Sequence, residues 1–150
     1  MRTIYLIGAA AFFASAIASG TIFAPRIATP IEALRLDDGS TTVELMQATD
    51  TLLLLVYRPS DLFTCASIVY AWQSRANNKH WSTRVALSHA PTPLEERALR
   101  RSRIHWVRVV NLGIDGEKWK SREVLFVNGH LVESSTFPNI GRNSALRRLL

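Results

Sequence analysis

Cys65 is the only cysteine among 150 residues, so no internal disulfide can form and turnover by a pair of thiols within the chain is excluded. Lysine is nearly as scarce, with three against fifteen arginines. Charged residues make up only 20% against 47% hydrophobic ones, which excludes an intrinsically disordered chain and leaves enough apolar side chain for one domain with a real core. No glycine-rich phosphate loop occurs. Ser88-His89 is not set in a nucleophile elbow of the G-x-S-x-G kind, so hydrolase chemistry has no motif to rest on. His80, His89, His105 and His130 are scattered without ligand spacing, and neither a metal nor a cofactor is expected. There is no internal repeat or low-complexity tract.

What is abundant is positive charge. The net +6 directs the surface towards anionic partners such as lipid headgroups or nucleic acid. Nucleic acid would require a cytosolic location and finds no recognisable motif here. Arg97, Arg100, Arg101 and Arg103 crowd one helix, and Arg142, Arg147 and Arg148 crowd the tail. Solvated faces are the plainer reading of both clusters, and contact with an anionic membrane surface is the functional one. Trp72, Trp81, Trp106 and Trp119 fall in or beside predicted elements and are read as core.

The first twenty residues, MRTIYLIGAAAFFASAIASG, combine Arg2, an apolar run from Ile4 to Ile17 and small residues at Ala14, Ala16 and Ala18. This pattern is that of a signal peptide or, uncleaved, of an N-terminal apolar helix anchoring the chain in a membrane. Residues 21–33, with Pro25 and Pro30, read as a linker, and 34–150 as the folded domain. The expected location is exported, periplasmic or otherwise extracytoplasmic. In an oxidising compartment a lone cysteine is either buried and inert, or reactive towards sulfur or oxidant from another molecule.

Within the domain, "LRLDDGSTTVEL" alternates about Asp38-Gly39 and predicts a short hairpin, while Thr51 to Tyr57 is a continuous apolar run of strand length suited to a central strand. Ile68, Val69, Trp72 and Ala76 predict a helix over 64–77, and Ser82 to Ser88 a second strand. Thr92-Pro93-Leu94-Glu95 supplies a capping hydroxyl, a proline at the first helical position and a returning glutamate, which predicts a helix from Pro93 to about Arg103. Trp106 to Val110 reads as a third strand, and "EVLFVNGHLVES" as a hairpin turned at Asn128-Gly129. Strands alternating with helices imply an α/β fold with a central mixed sheet flanked by helices.

This order, with a cysteine just after a central apolar strand, resembles the thioredoxin-like superfamily, in particular the exported thiol-disulfide oxidoreductases and peroxiredoxin-type redoxins. "LDDGSTTVEL" is similar to the opening hairpin of those exported proteins, "LLLLVYRPSDLFTC" to the strand leading into their active-site turn, and "EVLFVNGHLV" to their closing hairpin. The resemblance implies a thioredoxin-like fold over roughly Leu34 to Ser134. It implies an active-site turn of Arg58, Pro59, Asp61, Leu62, Phe63 and Thr64 around a catalytic Cys65, and an opposing groove at Ser121 and Arg122. Two departures stand out. Leu62 occupies the place of the attacking cysteine, and Ser121 falls near that of the family's cis-proline. The peroxiredoxin pattern fits only in residue types, Pro59, Thr64 and Cys65, because Thr64 abuts the cysteine.

A Cys65 at a helix N-terminus would be favoured as thiolate by the helix dipole, aided by Arg58 and opposed by Asp61. A Cys65 buried by Leu62, Phe63 and Ile68 would be silenced by desolvation. The reactive reading gives single-thiol disulfide exchange or peroxide reduction, with a protein thiol or disulfide as partner and an external thiol as reductant. The other gives a redox-inactive thioredoxin-like module that binds a protein beside Leu62, Phe63 and Ser121.

Overall fold

The computed structural model describes residues 28–136. The first twenty residues, read as a signal peptide or anchor, and the arginines of the tail lie outside them. No helix among the described residues is long and apolar enough to cross a membrane.

The chain folds as an α/β domain in the order α1 (Thr42–Ala48), β1 (Thr51–Tyr57), α2 (Pro59–Asn78), β2 (Ser82–Leu87), α3 (Pro93–Arg100), β3 (Val107–Arg108), β4 (Arg122–Val127) and β5 (His130–Thr136). Five strands form one mixed sheet in the order β3-β2-β1-β4-β5. β1, β2 and β3 run parallel, and β4 and β5 are antiparallel to their neighbours.

The leucine run becomes the middle strand because both its faces are covered. Leu53, Leu55 and Tyr57 pack against Leu62, Val69, Trp72 and Ala76 of α2 and Leu99 of α3. Leu52, Leu54 and Val56 meet Ile31, Leu34, Leu36, Leu45 and Leu112 on the other side. The two crossovers step the same way across the sheet, and so α2 and α3 lie on one face, as two connections of a single hand require. Ile31 and Leu34 are buried, and Thr29 Oγ1 donates to the Asn111 carbonyl at 3.2 Å, so the end of the segment read as a linker is packed on the domain.

Three elements depart from their expected form. The predicted opening hairpin is only half a hairpin: Arg35 bridges Thr41 around Gly39 (φ 89°), and the second arm is α1. The cause is local, since Thr41 Oγ1 accepts from the Glu44 N–H at 3.2 Å while a Glu44 carboxylate oxygen accepts from the Thr41 N–H at 2.9 Å. This reciprocal cap starts a helix where alternation suggested a strand. Second, α2 begins at Pro59 instead of residue 64, because proline at the first position has its φ already set and Asp61 suits the positive end of the helix dipole. Third, β3 has two residues in place of five.

Other elements match the sequence closely. Thr92 and Glu95 form the expected reciprocal cap of α3, at 3.3 Å and 2.8 Å. The β4–β5 hairpin turns at Asn128 and Gly129, both at positive φ (50° and 76°), the conformation a two-residue hairpin loop demands.

Candidate functional site

The carboxyl end of β1 runs directly into α2 through the extended Arg58, and a buried polar cluster gathers there. Asp61 stands in the first turn of α2. Its carboxylate accepts from Arg58 Nε at 3.0 Å, from the Arg58 terminal nitrogen at 3.2 Å and from Ser121 Oγ at 2.6 Å. Ser121 Oγ in turn accepts the Arg58 backbone N–H at 2.8 Å. The Ser121 hydroxyl is therefore used as both donor and acceptor, and it is 1% exposed. Arg58 at the helix start and Ser121 ahead of β4 are thus joined through Asp61 into a latch. The paired carboxylate holds the Arg58 guanidinium above its ordinary range.

Beneath this latch lies a second pair. Glu123 of β4 is 1% exposed and points, with Leu125, to the α2 side of the sheet. Tyr57 Oη donates to Glu123 Oε1 at 3.1 Å, while Oε2 has no hydrogen-bond partner. Burial pushes the Glu123 carboxyl up to about 7, with the Tyr57 hydrogen bond opposing and the Glu133 charge adding to the rise. The Tyr57 phenol is raised as well, by burial first and the facing carboxylate second. The phenol therefore stays protonated and serves as donor.

Cys65 does not stand at a helix N-terminus. It is the seventh residue of α2, 7% exposed, and packed into the core with Leu62 and Val69. Because α2 starts earlier than the apolar spacing suggested, the thiol lies beyond the first turn, where the dipole's influence has faded. Burial raises its pKa, and the charges of Asp61 and Glu123 raise it further. Every resolved influence on the sulfur thus favours the neutral thiol over the thiolate.

The remaining residues of the expected active-site turn are helical. Pro59, Leu62 and Thr64 belong to α2, with Leu62 fully buried and Thr64 Oγ1 bonded to the Ser60 carbonyl at 3.1 Å. Phe63 is 57% exposed and faces solvent. Arg122 is the first residue of β4, and its guanidinium stacks over the Trp119 ring at 4.9 Å. Leu62 and Ser121 are both buried. Tyr57 and Glu123 were not singled out in the sequence. The available signal was a carboxylate at Glu123 ahead of the apolar run Val124 to Val127.

Elsewhere, His89 Nδ1 lies 3.0 Å from Ser88 Oγ and 3.2 Å from the Gly116 carbonyl. A carbonyl can only accept, so it selects the tautomer with hydrogen on Nδ1. Ser88 Oγ is then an acceptor and not a nucleophile activated by this ring. Among the described residues, no three of histidine, cysteine, aspartate and glutamate converge as a metal would need. Compared with known protein families, curated proteins and solved structures, the chain matches none.

Proposed function

We propose that the protein is an extracytoplasmic thioredoxin-like module that has given up thiol chemistry and engages a protein partner at the surface around the start of α2. The fold reading is supported by the strand order β3-β2-β1-β4-β5, with three parallel strands joined by helices on one face and a closing antiparallel hairpin. Localisation rests on the apolar run of residues 4–17. The observation that carries the functional reading is the place of Cys65, buried on the core face of α2 among groups that disfavour its thiolate. At the turn where the resemblance puts an active site, Arg58, Asp61 and Ser121 are linked by hydrogen bonds, and Phe63 stands exposed on the same helix. An exposed aromatic on a helix is a suitable anchor for a partner's apolar pocket.

Alkylation separates this reading from single-thiol redox chemistry. In the folded protein Cys65 should be labelled only through unfolding, at a rate that follows denaturant and not thiolate titration, with Cys65→Ser as the blank. Rapid labelling of the native protein below the ordinary thiol pKa would restore disulfide exchange or peroxide reduction by Cys65. The docking half is tested by a photo-crosslinking amino acid at position 63 in the full chain in cells. A discrete protein adduct, missing when the probe is moved to exposed position 43, is expected; the same products from both positions would refute it.

A further inference from the structure

The outer face of α2 carries Phe63, Ser67 and Tyr70 on successive turns, all exposed. Against the last two lies the chain leaving α3. α3 ends when the Arg101 and Ser102 N–H groups bond back to the Ala98 and Leu99 carbonyls. The chain then reverses through Arg103 at φ 59°. That conformation ordinarily selects glycine, because a β-carbon is crowded there. Its occupation by an arginine puts a long cationic side chain at a strained, well-defined corner. Ala66, Ser67 and Tyr70 on one side and Arg101, Ser102 and Arg103 on the other enclose a surface crevice of about 330 Å³.

The four arginines grouped in the sequence divide here into two kinds. Arg97 Nε donates to the Pro93 carbonyl and Arg100 pairs with Glu96, so both are engaged along α3 itself. Arg101 and Arg103 have no ion pair among the described residues, and no acidic side chain lines the crevice. The hydroxyls of Ser67 and Tyr70 likewise have no hydrogen-bond partner among the described residues and can donate into the same space. Two guanidinium groups flanked by neutral donors make a match for the non-bridging oxygens of a phosphate group, which guanidinium recognises through paired hydrogen bonds.

We infer that the crevice between α2 and the turn after α3 is a binding site for a phosphate group, supplied either by the headgroup of an anionic phospholipid or by a soluble phosphate ester. This goes beyond the docking surface at Phe63 and does not depend on it.

The test uses the full chain, labelled for NMR. In one arm inorganic phosphate and glycerol 3-phosphate are titrated in; in the other, phosphatidylglycerol-containing vesicles are compared with phosphatidylcholine vesicles. Saturable shifts of the 67, 70 and 101–103 amides with the soluble ions support a soluble phosphate ester. Preference for phosphatidylglycerol vesicles without such shifts supports the headgroup. In either case Arg101→Gln with Arg103→Gln should weaken the interaction about tenfold or more, since charge-assisted hydrogen bonds are lost. Arg97→Gln with Arg100→Gln, which removes the same charge from arginines engaged elsewhere, should weaken it much less. Equal losses from the two double variants would show general charge attraction and overturn the site, as would the absence of any response in both arms.

Discussion

Replacing Glu123 by glutamine should stabilise this protein at alkaline pH and leave it nearly unchanged in acid. The carboxyl is 1% exposed, one of its oxygens has no partner, and its pKa stands at about 7 against an ordinary 4.5. Between those two values the folded state binds a proton that the unfolded state has released. Stability therefore falls as pH rises from 4.5 towards 7, and the penalty is complete above the folded pKa. A displacement of that size corresponds to roughly 3 kcal/mol, the full cost of ionising Glu123 in its buried place. Glutamine keeps an acceptor for the Tyr57 hydroxyl and has no charge to desolvate. Urea unfolding of the parent and Glu123→Gln at closely spaced pH values from acid to alkaline isolates the effect, because every other titrating group is common to both. The difference between them should grow by about 3 kcal/mol from pH 4.5 to pH 8. Parallel curves, or a variant less stable than the parent at alkaline pH, would mean that Glu123 ionises without cost, and the account of this buried pair would be wrong.

Two further perturbations address local devices. Ser121→Ala strands the part-buried Arg58 N–H and removes one donor from Asp61, and should cost about 1–3 kcal/mol in urea unfolding; a loss no larger than that of an exposed Ser67→Ala control would show that the latch is not structural. Thr92→Ala breaks the α3 cap and should cost about 1 kcal/mol, with partial recovery in Thr92→Asn; equal stability of the alanine and asparagine variants would remove the cap from the account.

The parts legible in the sequence are those whose cause is local. A seven-residue apolar run made β1, a hydroxyl, proline and glutamate made the start of α3, and Asn128-Gly129 made the hairpin turn. The opening hairpin was misread although the same threonine-to-glutamate spacing stood at Thr41 and Glu44, because the alternation of Leu34, Leu36, Val43 and Leu45 pointed to strands. The helix face was also misjudged. Ile68 suggested a later start, yet it is 45% exposed, while the buried side chains are Leu62, Cys65, Val69, Trp72 and Ala76, a helical stripe that includes the cysteine. The site itself depends on partners distant in sequence. The resemblance sets Ser121 opposite the turn that holds Asp61, and the two side chains are hydrogen-bonded, but Tyr57 reveals nothing about Glu123 until β4 is laid against β1.

The position of β1 between β2 and β4 also governs the order of assembly. Its β2 edge is closed by a segment made soon afterwards, whereas its other edge waits for β4, near the far end of the chain. Throughout synthesis and any unfolded transit, a leucine-rich, uncharged strand is left with an open side, the kind of segment that recruits copies of itself into aggregates. Successful production of the protein thus depends on holding Thr51–Tyr57 apart from its own kind until the β4–β5 hairpin arrives.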